Sequence, residues 1–332
     1  MRTQPVVTPL NAYRAFAPVF ELYAAALSVI AGAVVATMDL DAVWLDGAVR
    51  IARPEAHWII IALNAASVML IHAAGVALDH IAHYDNDRLH RPGRPLPRGL
   101  VTVAGAWRFY ALSTALGIGL AAINLGREAD GGLPTGFLAL STAILYAGLT
   151  AAYRLRFHDT PFFAPLLTGL RQTLAIWLGL LSTPTPLTGS LIVDSKLWAP
   201  AVAVGFYAHA LSWLSLQDAS AQKSTLGESI ELMLILGIAV LSAAHWIWGA
   251  LPMIGVAVAL FGAGILSMRS PGQAAAHRLY RIGVGSIPIV LSSMMLLAGG
   301  PDAWPPGVVG LLGFGVLWLI ERRAARPAAD AV

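Results

Sequence analysis

The sequence predicts an all-α polytopic membrane protein, and three observations carry that prediction. Charged residues make up 12% of the 332-residue chain, about half of what a soluble domain carries. Mean hydropathy is +0.70. Apolar residues collect into runs of about 20, the length a helix needs to cross a bilayer. These runs lie near 16–37, 57–78, 103–124, 133–152, 162–183, 197–217, 230–249, 251–268, 282–299 and 305–320. The last is the shortest, so the expected count is nine or ten transmembrane helices. Backbone amides in lipid must be satisfied within each segment, which selects helices. The alternation over about ten residues that marks a membrane β-barrel strand is missing.

The first run follows Arg2 and Arg14 and contains Ala31-Gly32-Ala33, a sequence like a signal-peptidase site. The run is longer than the apolar core of a signal peptide, about 7–15 residues, and reads as a retained helix. The connection 38–56 holds Asp39, Asp41 and Asp46. These are too few spaced oxygens for a calcium loop, so the segment reads as solvated or interfacial. After the second run the composition changes abruptly. ALDHIAHYDNDRLHRPGRPLPRGLVT, residues 77–102, gathers three aspartates, three histidines, four arginines and three prolines. The remaining runs form one transmembrane domain over 1–321, with a disordered tail expected from Arg322 to Val332.

The order of charge sets the orientation. Of the 21 lysines and arginines, sixteen lie in the N-terminus, the even-numbered connections and the tail. Four lie in odd-numbered connections (Arg50, Arg53, Arg127 and Lys196), and Arg171 falls inside the fifth run. Positive charge marks the cytoplasmic side. Both termini are therefore expected in the cytoplasm, which supports the tenth helix because an even number of spans is needed. The sequence pI near 9.4 then reflects topology, and no nucleic acid is needed to explain it. Cysteine is absent, which excludes disulfides, zinc thiolates and thiol nucleophiles. There is no dinucleotide-binding glycine loop, no Walker A motif and no long tandem repeat.

Residues 77–102 then face the cytoplasm. If the second helix continues through them, Asp79, His83 and Asp87 fall at i, i+4 and i+8 on one face, successive members about 6 Å apart. Oxygen ligands at that spacing suit Mg²⁺, which leaves its other positions to substrate phosphate and water. Arg88, Arg91, Arg94 and Arg98 suit a polyanionic phosphate, and the prolines turn the chain into a loop. A polar loop obeying the positive-inside rule would explain the arginines. It would not explain two carboxylates and a histidine at helical spacing.

DHIAHYDNDRLHRPGRPLPRG resembles the first signature of the UbiA superfamily of intramembrane prenyltransferases, an NxxxDxxxD helix end that runs into RPxRPxPxG. The loop matches from Arg91 to Gly99, and Asp87 falls on the last signature aspartate. The chain departs from the pattern at Asp79, where the family has Asn, and at His83, where it has the middle Asp. In the second signature, DxxxD after the sixth helix, Asp218 is kept and Gln222 replaces the second carboxylate. The tyrosine and basic residue after the fourth helix appear as Tyr153 with Arg154 and Arg156. The resemblance covers roughly 10–300. It implies a UbiA-like bundle of nine or ten helices around a central cavity open to the cytoplasmic leaflet.

What the resemblance implies for chemistry is Mg²⁺ at Asp79, Asp87 and Asp218, which are also the expected catalytic residues. A prenyl diphosphate would be held by His83, Arg91, Arg94, Tyr153, Arg156, Arg171, Gln222 and Lys223. With two fewer aspartates, metal affinity drops or one ion serves in place of two. A neutral imidazole is a poor partner for a hard cation, so His83 is expected on diphosphate or water. The expected activity is Mg²⁺-dependent transfer of an isoprenyl group to an unidentified acceptor, in the bacterial inner membrane among its lipids. If no acceptor enters, the same ionisation gives cyclisation, as in UbiA-type terpene cyclases. His83 and Gln222 also fit a transporter or lipid-binding membrane protein of the same fold.

Other polar residues lie within the runs. Arg171 would cost at least about 2.5–3.5 kcal/mol in lipid, so it faces a cavity or a counter-charge, with Glu21 a possible ion-pair partner. Asn64, Ser67 and His72 lie along the second run, and for His72 a hydrogen bond between helices outweighs a catalytic role. His209, Ser212 and Ser215 lead to Asp218. Trp177, Trp213, Trp246 and Trp248 could shield a carbocation or anchor the interfaces. The charge bias is tested by reporter fusions after Val332 and within 40–55, which should report opposite sides of the membrane. A C-terminus on the same side as 40–55 would remove the tenth helix.

Overall fold

The computed structural model describes residues 16, 19–36, 58–126, 135–158, 160 and 162–182, together with isolated positions at 201–202, 204–205, 208–209, 212, 291, 308, 312–313 and 315–316. The second half of the predicted bundle, from the sixth run onward, lies largely outside the described residues. Within them every regular element is a helix, and the first five predicted runs are helices: α1 (Val19–Ala36), α2 (Trp58–Ala82), the short α3 (Tyr84–His90), α4 (Val103–Ala122), α5 (Thr135–Ala152) and α6 (Phe163–Leu180). A 3₁₀ turn, Ile123–Gly126, extends α4, and a π turn, Tyr153–Phe157, extends α5.

Three of these are long and apolar enough to cross a membrane among the described residues: Trp58–Ala82, Val103–Leu125 and Thr135–Phe157. The 25 residues of α2 reach about 37 Å at 1.5 Å per residue, beyond the roughly 30 Å of hydrocarbon. Trp107, Leu112 and Leu116 on α4, and Phe137, Ile144 and Leu145 on α5, are exposed. Such apolar side chains face lipid at no cost. The chain is an integral membrane protein.

Local sequence sets the ends. Thr102 caps α4, its hydroxyl accepting from the Gly105 amide at 3.0 Å, which satisfies one of the open donors of the first turn. Pro165 sits in the first turn of α6, where its missing N–H costs nothing. The helix through Asp79 and Asp87 is nearly continuous, as the spacing predicts. His83, with φ −102° and ψ 13°, interrupts it. Even so, the His83 amide donates to the Asp79 carbonyl at 3.1 Å, and the Asp87 amide to the His83 carbonyl at 2.8 Å.

Packing divides the described helices into two close pairs, α2 with α4 and α1 with α6, joined through α1 and α2, with α5 against α2, α4 and α6. Ala25, Val29, Ala65, Val68, Ile71, Ala143, Tyr146 and Leu178 belong to the main core. At one end Asn64, fully buried, donates to Ser182 Oγ at 2.8 Å and accepts from Asn124 Nδ2 at 3.0 Å. This ties α2 to the ends of α4 and α6. At the other end a smaller core of Phe16, Ala77, Leu96, Val101 and Ala106 pins the loop 91–102 onto α2 and α4.

The α1–α6 pair meets backbone to backbone. A Cβ on Gly32 would overlap the Ile176 carbonyl, and one on Gly179 would overlap the Val29 carbonyl. The two glycines form a reciprocal contact that any side chain would force apart, as small residues do between membrane helices. Gly32→Ala and Gly179→Ala should each destabilise the protein by about 1–3 kcal/mol, the usual range for overpacking. The check is the thermal midpoint in detergent, with Gly119→Ala, where a Cβ meets nothing within 4 Å, as the reference.

Candidate functional site

The loop end of α2 brings the first signature together around two guanidinium groups. Asp87 is buried, its side chain 2% exposed, and Arg94 Nη1 lies 2.6 Å from its Oδ2. The same nitrogen stands 3.7 Å from Asp79 Oδ2, and Arg154 Nη1 stands 3.6 Å from Asp79 Oδ1. Two carboxylates are thus balanced by two arginines, one from the loop and one from the π turn after α5. His83 turns inward on the same column. Its Nδ1 donates to the Asp79 carbonyl at 2.9 Å, and its ring meets His158 edge-on at 4.3 Å between centroids.

The loop reaches this position through its own turns. The Arg91 amide donates to the Asp87 carbonyl at 2.8 Å, the Arg94 amide to the Arg91 carbonyl at 3.0 Å, and the Arg98 amide to the Arg94 carbonyl at 3.1 Å. Gly99 closes the segment at φ 69°, a left-handed conformation that glycine adopts without strain. Leu96, 3% exposed, anchors it. Arg94 therefore returns over the carboxylates while Arg91 stays exposed.

About 10 Å deeper along α2, seven residues at 1.5 Å each, lies a second polar group. His72 Nε2 lies 2.9 Å from Glu21 Oε2, and Arg171 Nη2 lies 3.1 Å from His72 Nδ1. Arginine can only donate, so Nδ1 accepts and Nε2 carries the proton given to Glu21. The sequence offers Arg171 either a diphosphate or a counter-charge such as Glu21; in the structure His72 stands between Glu21 and Arg171 and bonds to both. Arg171 is 7% exposed. Its guanidinium lies 5.6 Å from the Tyr146 ring centre and 5.4 Å from that of Tyr153, and Arg154 lies 5.1 Å from Tyr153. Tyr153 thus joins the upper and lower groups.

The sequence-derived site divides accordingly. Asp79, His83, Asp87 and Arg94 meet at one point, with Tyr153 and Arg171 on the column below. Arg156 is exposed, and the neighbouring arginine that reaches Asp79 is Arg154. A π turn advances the backbone by more than a normal turn, so which of two arginines flanking Leu155 faces inward is not readable from spacing. Asp218, Gln222 and Lys223 lie outside the described residues, as do Trp213, Trp246 and Trp248. Among the described residues no group of three or more His, Asp or Glu is gathered to hold a metal. Sequence reasoning gave His72 a hydrogen bond between helices but did not name Glu21 and Arg171 as its partners. The available signal was its position seven residues before Asp79, on the same face, opposite the only charge in the first run, Glu21.

The sixth run touches this assembly where it is described. Thr173 Oγ1 donates to the Ala201 carbonyl at 3.2 Å, and Thr168 Oγ1 to Ser212 Oγ at 3.3 Å. Among the described residues it runs antiparallel to α6, with Ser212 nearer the loop end than Ala201.

A model of the UbiA prenyltransferase family matches residues 42–284. The digeranylgeranylglyceryl phosphate synthase of Methanoculleus marisnigri is 34% identical over 99 residues, 30% of this chain and 32% of that protein; the match thus spans about a third of the relative's length. A solved structure of a digeranylgeranylglyceryl phosphate synthase superposes with a TM-score of 0.60 at 15% identity, covering 88% of this chain and 99% of the other. A UbiA homologue from Archaeoglobus fulgidus bound to GPP and Mg²⁺ gives 0.45 at 16% identity, covering 92% and 99%. The fold is that of the synthase, and with the family model covering well over half of the sequence, the chain belongs to the UbiA prenyltransferase family.

Proposed function

We propose that the protein is a Mg²⁺-dependent membrane prenyltransferase that moves an isoprenyl group from a prenyl diphosphate to an acceptor, at a site facing the cytoplasm. The observation that supports this most directly is the convergence of Asp79 and Asp87 on a single cation, the Arg94 guanidinium. Its nitrogen stands in for positive charge that two hard oxygen donors are built to share. The donor set fits Mg²⁺, with Asp79 and Asp87 as ligands and Asp218 as the third. Asp218 lies outside the described residues and is assigned from the second signature.

The remaining residues act on the diphosphate. Arg94, Arg91 and Arg156 on one side, with Gln222 and Lys223 from the second signature, offer donors to phosphate oxygens. His83 supplies a further hydrogen bond. When bound, Mg²⁺ would stabilise charge on the departing diphosphate. The allylic C–O bond breaks with its electron pair going to the diphosphate, and an electron pair of the acceptor forms the new bond to that carbon. Tyr153 and Arg171 line the path below, where apolar walls exclude water until the acceptor attacks. Fixed charge in so dry a site is worth more than in water.

Asp87→Asn should abolish Mg²⁺-dependent binding of a prenyl diphosphate analogue, since one ligand and one charge vanish together. His83→Asp should preserve or tighten it. Calorimetry with and without EDTA checks both, and binding indifferent to metal and to Asp87→Asn would sink the proposal. Turnover with prenyl diphosphates of several lengths separates the chemistry: release of diphosphate only with acceptor marks transfer, and release without it marks cyclisation or hydrolysis.

Arg171 is placed here as a substrate contact, and Glu21→Gln isolates that role because it weakens the Glu21–His72–Arg171 relay yet keeps the cation. Glu21→Gln should lower thermal stability and leave analogue binding within about twofold. Arg171→Met should lower stability and weaken binding at least about tenfold, a loss of about 1.4 kcal/mol. Equal binding by folded Arg171→Met and wild type would leave Arg171 a structural cation.

A further inference from the structure

The acidic face is already neutral before any ligand arrives. Asp79 and Asp87 carry two negative charges, and Arg94 and Arg154 supply two positive ones. The Arg94–Asp87 contact is also the drier of the two. Asp87 is 2% exposed while Arg94 is 26% exposed, so the carboxylate is sealed from one side and covered by the guanidinium from the other. A divalent ion arriving alone would have to take Asp87 from Arg94 and leave a guanidinium without its anion. Removing one partner from a buried pair carries a large penalty, and water on the exposed side of Arg94 offsets only part of it. An anion delivered with the metal removes the penalty, because a diphosphate accepts the same fork of N–H donors as a carboxylate.

The backbone permits the exchange. Arg94 sits between Pro92 and Pro95 in the loop rather than in α3. The loop is held by Leu96 and Val101 packing on Phe16, Ala77 and Ala106, not by the Arg94 side chain. The guanidinium can leave Asp87 by rotating about its own bonds while the loop stays docked.

We propose that Arg94 is a latch on the metal site: it closes Asp79 and Asp87 to a free divalent cation and passes to the diphosphate when metal and diphosphate arrive together. The inference rests on the Mg²⁺–diphosphate reading above and adds a property to it. Binding of the metal and of the diphosphate is strongly coupled, and by linkage each strengthens the other by the same factor.

The test is Mn²⁺ binding to the full chain in nanodiscs, read from the electron paramagnetic resonance of the free ion, with and without geranyl thiolodiphosphate. Wild type should bind Mn²⁺ weakly alone and at least tenfold more tightly with the analogue. Arg94→Gln should bind Mn²⁺ alone at least tenfold more tightly than wild type, and the analogue should then add less than threefold. Arg108→Gln removes the same charge from an exposed position of α4 and should behave as wild type. If Arg94→Gln fails to fold with Asp87 uncovered, Arg94→Lys serves instead. A single ammonium cannot hold both carboxylates as the fork does, so Mn²⁺ affinity should rise by a smaller but measurable factor. Unchanged Mn²⁺ affinity in the folded Arg94 variant, or an equal gain in Arg108→Gln, overturns the latch and leaves the enzyme reading intact. No Mn²⁺ binding by wild type even with the analogue overturns both.

Discussion

A charge inside a bilayer must be compensated within hydrogen-bond reach, and the described half of this protein is arranged around that constraint. Along α2 the sign alternates: Asp87 with Arg94, Asp79 with Arg94 and Arg154, then Arg171, His72 and Glu21 in series. Five elements and a loop each contribute a member. Removing the pairing would leave isolated ions, which cost several kcal/mol each even after relaxation. The order of helices about α2 is accordingly as much an electrostatic solution as a packing one. The tyrosines Tyr146 and Tyr153 complete it, offering their ring faces to Arg171.

The two ends of α2 use polar chemistry for different ends. Asn64, Asn124 and Ser182 are neutral and bonded largely to one another, which ties helix ends together without calling in an ion. The opposite end concentrates full charges and loop backbone. That separation leaves the apolar middle, Ile71, Val68 and Ala143 among others, free to seal the space between.

Much of the fold was legible because lipid imposes a length and a composition on every span. The first five apolar runs became α1, α2, α4, α5 and α6 with small shifts at the ends. The four-residue spacing of Asp79, His83 and Asp87 was legible for the same reason that helices are: the backbone hydrogen bonds repeat at that interval, and they persist across the break at His83. What the chain order concealed was pairing between distant segments. Arg94 returns to Asp87 because three prolines fold the loop back, and no periodicity encodes the direction of such a loop. Arg154 rather than Arg156 faces inward because of a π turn, whose extra residue shifts the phase of the helix. His72 stood out as polar in an apolar run, but only the approach of α1 and α6 made it a bridge.

The glycine contact between α1 and α6 has a mechanical meaning. Helices that touch backbone to backbone, at Gly32 on Ile176 and Gly179 on Val29, have no compliant side-chain layer between them and move as one piece. Glu21 and Arg171 ride on that piece, so their spacing across His72 is set by it. On the opposite side of the polar column, Arg94 hangs from a loop by a long flexible side chain. The polar column therefore has a stiff side at α1 and α6 and a yielding one at the loop: a change at Arg94 is absorbed by its own side chain, while a change at Arg171 has to shift two helices together.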